Sequence, residues 1–224
     1  MSAREYLAVV SALLDRLGRE EYEAISAAGT AVARALQAGK RVWITNTAHG
    51  IAHEVTKRAG GLIAVHQLRD IALVDEGDVI LIGSPVGVAR HTLDFALEGK
   101  ARGGVIVALT NVSFEQEPTT IVEHRSGKRL HEVADIVIDI GGPTGDGVFE
   151  VEELQLRAIP HSGVTLVAGL WMIFSAALEE MRARGSVPRL YQCDMIEGAR
   201  EKNAKQIDAY LRTGVGYAKR GELE

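Results

Sequence analysis

Asp78-Val-Ile-Leu-Ile-Gly-Ser-Pro-Val-Gly87 leads into a stretch from Val88 to Arg102, then the pair Gly103-Gly104, then Val105-Ile-Val-Ala-Leu109. The two apolar runs are short, rich in β-branched residues and apolar at successive positions, so each reads as a strand covered on both faces. Between them Leu93, Phe95, Ala96 and Ala101 are the apolar positions of a helix, and the glycine pair stops it. Strand, crossover helix and strand make a parallel βαβ unit, whose connection is right-handed.

The same alternation extends both ways. Upstream lie a strand at Arg41-Val-Trp-Ile-Thr45, a helix over Thr47 to Ala59 stopped by Gly60-Gly61, and a weak strand at Leu62 to Val65. Downstream lie a strand at Ala134-Asp-Ile-Val-Ile-Asp139, a long helix over Gly163 to Arg184 and a last helical stretch over Glu197 to Leu211. Before the first strand, Tyr6, Leu7, Val10, Leu13, Leu14 and Leu17 mark one helical stripe over Ala3 to Leu17, which Gly18 is expected to break. Ile25, Ala28, Val32, Ala35 and Leu36 mark a second helix from about Glu20 to Gln37, with Gly39 as its stop. The expected fold is α/β, a doubly wound parallel sheet forming one domain over residues 1–224. Residues 1–39 form an N-terminal helical hairpin used in packing or dimerisation.

Composition narrows the function. The chain has 224 residues, 25 Lys+Arg against 30 Asp+Glu, a net charge of −5 and 46 % hydrophobic residues. No basic block is present, so sequence-independent nucleic-acid binding is not expected. The single cysteine, Cys193, makes neither an internal disulfide nor a Cys-based zinc site, and is read as structural. The N-terminus lacks the pattern of a signal peptide. The most apolar run, Val164 to Leu178, is shorter than the roughly 20 residues of a bilayer span. It reads as a buried core helix, and a cytoplasmic protein without membrane partners is expected.

In open parallel sheets ligands bind beyond the carboxyl ends of the strands. Three segments stand there: Thr45-Asn-Thr-Ala-His-Gly50, Gly83-Ser-Pro-Val-Gly87 and Thr110-Asn-Val-Ser113. Their small hydroxyl, amide and glycine residues suit close approach of an anion to backbone N–H groups, and they equally suit ordinary strand-to-helix turns. No P-loop, no G-x-G-x-x-G after the first strand and no G-x-S-x-G elbow occurs. P-loop NTPases, Rossmann oxidoreductases and α/β-hydrolases are therefore disfavoured.

Ile44-Thr-Asn-Thr-Ala-His-Gly-Ile-Ala-His-Glu-Val-Thr-Lys-Arg-Ala-Gly-Gly61 resembles the stretch G-T-G-H-S-H-x-x-A-E-E-x-x-x-R-A-G-G of sugar isomerase (SIS) domain proteins. The resemblance is to the small single-domain, uncharacterised group related to phosphoheptose isomerase. Ser84 to Gly87 with Ala96-Leu-Glu-Gly-Lys-Ala-Arg-Gly103 resembles a second family segment, and Arg125 to Asp146 follows the family pattern nearly throughout. The resemblance implies a flavodoxin-like three-layer α/β/α sandwich with a mainly parallel sheet of about five strands. It implies binding of a sugar phosphate without a cofactor, and a homodimer or homotetramer with pockets near the subunit interface. It also implies an aldose–ketose isomerisation through an enediolate, with Glu54 as base and His49 assisting. Phosphate contacts are expected from Thr45, Asn46, Thr47, Ser84, Gly87 and Thr110, together with Ser162 or Thr165 at the start of the long helix. Against this pattern, the serine of the first loop falls at Ala48, two of its glycines at Ile44 and Asn46, and the second loop carries Pro85 and Val86.

Two other readings stay open. Fewer hydroxyls in the loops fit a non-catalytic sensor or regulatory protein that binds a sugar derivative. His49 and His53, four apart on the expected helix, are weak metal candidates for a metal-dependent sugar-processing enzyme, with Glu150, Glu152 or His161 completing a set. Each candidate has a plain alternative: Glu54 as a solvated surface carboxylate, His49 as a capping residue, and Arg58 as a helix-end donor to carbonyls rather than a substrate contact.

Overall fold

A computed structural model of the chain describes residues 2–219. Met1 and residues 220–224, which the 1–224 reading includes, lie outside the described residues. The central sheet has five parallel strands, β1 (Val42–Thr45), β2 (Val65–Leu68), β3 (Val79–Ser84), β4 (Val105–Thr110) and β5 (Ile136–Asp139), in the order β2-β1-β3-β4-β5. That is the flavodoxin-like order, in which the chain direction across the sheet reverses between β1 and β3.

Alternate strand residues point to opposite faces. Val79, Leu81, Val107 and Leu109 face one core, and Ile80, Ile82, Ile106 and Ala108 face the other. Helices α2 (Tyr22–Gln37), α3 (Ile51–Val55) and α7 (Ser162–Ala183) cover the first face. Helices α4 (Arg90–Ala101) and α6 (Leu130–Val133) cover the second, giving the expected three layers. Helix α1 (Ala3–Glu20) starts at Ser2, whose side chain accepts from the Glu5 N–H, and packs on α7. Helix α7 is long and apolar enough by length and composition to cross a membrane. Its Leu166, Leu170, Ile173, Phe174, Ala177 and Met181 are buried in the core.

Helices α2 and α7 touch backbone to backbone. A Cβ on Gly29 would lie 2.5 Å from the Ala176 Cβ and 2.9 Å from the Ala177 nitrogen. Only glycine permits that approach.

Several elements differ from the sequence expectation. Helix α1 runs through Gly18 to Glu20, because one interior glycine costs only about 1 kcal/mol against a long buried stripe. Strand β2 is Val65–Leu68 rather than Leu62 to Val65. Residues 60–63 instead pair with 189–191, through Gly60 N–H to Tyr191 O, Ile63 N–H to Arg189 O and Tyr191 N–H to Gly61 O. Helix α3 covers Ile51–Val55, not Thr47 to Ala59, because His49 (φ 47°) and Gly50 (φ 68°) are left-handed before it and Lys57 (φ 54°) after it. Not foreseen were helix α5 (Val112–Gln116), the antiparallel hairpin of β6 (Gly147–Val151) and β7 (Leu156–Pro160), and the pair β8 (Ser186–Pro188) with β9 (Tyr217–Lys219). Helix α8 (Ala199–Thr213) matches the last helical stretch within two residues at each end. Cys193 is exposed rather than part of the core.

Candidate functional site

Beyond the carboxyl end of β1, the loop after it, helix α3 and the first two turns of α7 line an open cleft of about 600 Å³. His49, Gly50, Ile51, His53 and Glu54 line one side, and Gly163, Val164, Val167 and Ala168 the other. The loop after β1 is one of the two loops at the topological switch point, where open parallel sheets bind ligands.

The hydroxyls expected to form a phosphate cradle are tied to the protein. Thr47 Oγ1 donates to the Gly83 carbonyl at 2.9 Å, bridging the switch point. With that proton committed, the 3.0 Å contact between Thr45 and Thr47 makes Thr45 the donor. The Gly87 N–H donates to Ser84 Oγ at 3.1 Å. Thr110 donates to Glu115, and Thr45, Ser84 and Thr110 are all buried. Asn46 stands exposed at the loop tip.

At the start of α7, the Asp146 carboxylate from the β5–β6 connection caps the helix. It accepts from the Ser162 N–H at 3.0 Å and from Ser162 Oγ at 2.7 Å. The serine has one proton and gives it to Asp146, so the 3.1 Å contact of Ser162 Oγ with His49 Nε2 requires His49 to donate. Thr165 is fully buried, with its hydroxyl on the Ser162 carbonyl at 3.3 Å, so of the two only Ser162 meets a residue that lines the cleft. Behind this group sits His161, buried, with Nε2 lacking a hydrogen-bond partner 3.5 Å from Asp146 Oδ1. Burial pulls the His161 pKa below its ordinary value, and the Asp146 charge partly opposes this.

Glu54 forms an ion pair with Arg58 at 3.0 Å, one turn on, with both side chains partly exposed. Arg58 thus holds the candidate base rather than a helix-end carbonyl. His53 is exposed. His49 precedes the helix in left-handed backbone, so it and His53 do not share the helical face that the metal reading required. Among the described residues no group of three or more His, Cys, Asp or Glu side chains is placed to hold a metal ion. Glu150, offered as one completing ligand, pairs with Arg157 on the β6–β7 hairpin at 2.5 Å.

Sequence reasoning missed a second polar group, at the carboxyl end of β4. Glu115 is fully buried on α5 and accepts from the backbone N–H of His131 at 3.2 Å and from its Nδ1 at 2.6 Å. Burial raises the Glu115 pKa, and its hydrogen bonds to Thr110 and His131 pull the other way. Asn111 caps α5 and ties it to the next loop by donating to the Gly142 carbonyl at 2.9 Å. His131 and Asp146 both lie in the Arg125–Asp146 segment that carries the family resemblance. That was the available signal for them; Glu115 had none.

Comparison with known proteins agrees with this architecture. The family model described as SIS domain matches residues 5–76. A UPF0309 protein of Listeria innocua is 26 % identical over 92 % of this chain and 94 % of its own length. A UPF0309 protein of Caldanaerobacter subterraneus is 36 % identical over 61 % of this chain and 56 % of its own. Among solved structures, a phosphoheptose isomerase from Francisella tularensis superposes with a TM-score of 0.56 at 14 % identity, covering 79 % of this chain and 99 % of that one. The sheet order and the helices on both faces agree with the fold of that structure, and residues 5–76 carry the similarity to the SIS domain family model.

Proposed function

We propose that this chain binds a sugar phosphate in the cleft between the β1–α3 segment and the start of α7 and interconverts its aldose and ketose forms. The supporting observation is the meeting of His49, His53 and Glu54 with the first turn of α7 around one open cleft. In this reading the Glu54 carboxylate takes the proton from the sugar carbon next to the carbonyl and returns it to the neighbouring carbon, passing through an enediolate. His49, which donates through Nε2, supports the oxygen that gains charge. Glu54 must leave Arg58 to do so, and an exposed i,i+4 pair of this kind is held by less than about 1 kcal/mol. Likeness to a phosphoheptose isomerase fold supports the substrate class. No cofactor is required, and two or four copies per assembly belong to the same reading, to be measured by light scattering.

One observation favours a second reading, a non-catalytic binding protein. The anion position at the start of α7 is held by the chain's own Asp146, and the cradle hydroxyls are bonded internally. A thermal-shift series with sugar phosphates and the matching free sugars separates the two, followed by proton–deuterium exchange at C1 and C2 of any sugar that binds. Stabilisation by phosphates, with exchange that drops about 100-fold or more in Glu54→Gln, supports the isomerase. Binding with equal exchange in both proteins supports the sensor, and no shift with any sugar phosphate overturns the substrate class.

A further inference from the structure

A second concavity, of about 960 Å³, runs along edge strand β2 beneath α8. Its size lies within the roughly 300–1,000 Å³ of small-molecule sites. Its wall is aromatic. Trp43 and His66 are register partners on β1 and β2, with ring centroids 5.8 Å apart. His66 stacks on Tyr210 of α8 at 5.4 Å and 19°, and its Nε2 lies 2.5 Å from the Tyr210 hydroxyl. Tyr191 also lines the groove. The wall is rigid, because the indole N–H of Trp43 donates to the buried Asp78 carboxylate at 2.8 Å.

The charges lining the groove are of one sign. Arg41, Lys57 and Arg69 reach it and no carboxylate does, in a chain whose net charge is −5. The Arg41 guanidinium sits over the Trp43 ring, 5.7 Å from its centroid. Among the described residues Lys57 makes no ion pair. The cationic field reaches the wall: after burial, Arg41 and Lys57 are what hold His66 below its ordinary pKa. Arg41 already pairs with Asp75 at 3.6 Å, whereas among the described residues Lys57 and Arg69 are in no ion pair. Such cations are stabilised when an anion arrives, and ring faces favour a flat π-system. A sugar phosphate would supply the anion without the ring. The groove's other polar side chains for reading sugar hydroxyls, beyond the tyrosines, are His53, Thr56, His66 and Gln67.

We propose that this groove binds a small anion carrying a flat heteroaromatic ring, of the nucleoside monophosphate class. The ring lies against the half-buried His66 and Tyr210, beside the buried Trp43 that Arg41 covers, and the phosphate faces the cationic rim of Lys57 and Arg69. The aromatic and cationic lining lies outside the sugar cleft, His53 being the residue that lines both, and the proposal does not depend on the sugar reading.

The chain has two tryptophans, so Trp171→Phe leaves Trp43 as the one reporter in the groove. Trp43 fluorescence is titrated with AMP, GMP, CMP and UMP, and with adenosine, inorganic phosphate and glucose 6-phosphate as controls. The expected result is a saturable change with at least one nucleotide, about tenfold or more weaker with adenosine or phosphate alone, and not displaced by glucose 6-phosphate. Lys57→Gln with Arg69→Gln, both at exposed positions, weakens the nucleotide by about tenfold or more at an unchanged unfolding midpoint. Tyr210→Leu weakens it through loss of the stacking face. The proposal is overturned if none of the four nucleotides changes Trp43 emission at millimolar concentration. It is also overturned if the charge variants bind as well as the parent, or if glucose 6-phosphate competes.

Discussion

Gly87 and Glu115 occupy adjoining volume: the Glu115 carboxyl sits where a side chain on Gly87 would begin. The loop after β3 is left-handed at Gly87, with φ 55°, and closes directly over the buried acid. Gly87→Ala would add both strain and overlap, and its neighbour cannot retreat because Thr110 and His131 hold it. The expected loss is about 2–4 kcal/mol, read from the urea midpoint. A variant as stable as the parent would show that this loop is not fixed by the acid beneath it.

Glu115 also gives stability a pH dependence. Its folded pKa is raised above the ordinary 4.5, so its contribution is fully present below that value and is lost as pH rises through the folded value. Glu115→Gln keeps the shape and cannot ionise. The variant should therefore gain on the wild type as pH is raised from about 4.5, with the two closest at the acid end. Urea unfolding at a series of pH values measures the gap, and a gap that shrinks with pH would contradict the assignment.

His161 works in the opposite sense. Burial holds its folded pKa below the ordinary 6.5, so its contribution is present above 6.5 and is lost as pH falls from there toward the folded value. The Asp146 charge favours the protonated ring. Asp146→Asn should thus move the His161 titration to still lower pH, observable as the ring-proton chemical shift in NMR. The same variant removes the charge from the cap on Ser162, and a drop in the unfolding midpoint is expected alongside.

The α2–α7 seam sets a sign by magnitude. Gly29→Ala would gain about 1 kcal/mol of helix propensity. It would lose more by pushing a methyl into the backbone of α7, where overpacking costs about 1–3 kcal/mol. A net loss of up to about 2 kcal/mol is expected from thermal or urea unfolding. Ala176→Gly in the same chain should recover part of it, by removing the methyl that the new one meets.

The sheet was legible because its signal is local. Strands such as Val79–Ser84 and Val105–Thr110 are apolar on both faces and bounded by glycine, a pattern that few other structures share. The candidate cleft was legible through His49 and Glu54, since the loop and helix after the first parallel strand stand where such sheets bind ligands. What stayed hidden depends on contacts distant in the chain. Residues 60–63 left strand β2 to pair with 189–191, which no local pattern announces. Glu115 looked like one more charged residue of a short polar segment, and only the fold shows it enclosed by Thr110, Gly87 and His131. His49 and His53 had helical spacing, but left-handed residues at 49 and 50 leave His49 ahead of the helix that carries His53.

The seam between α2 and α7 bears on how the protein is made. A chain leaves the ribosome from its N-terminus, so all five parallel strands are synthesised before residue 162 appears. Until then the sheet face carrying Val79, Leu81, Val107 and Leu109 lacks its longest cover, and α2 waits for a partner far along the chain. The nascent protein therefore passes through a stage in which this apolar side has only α2 and α3 to cover it.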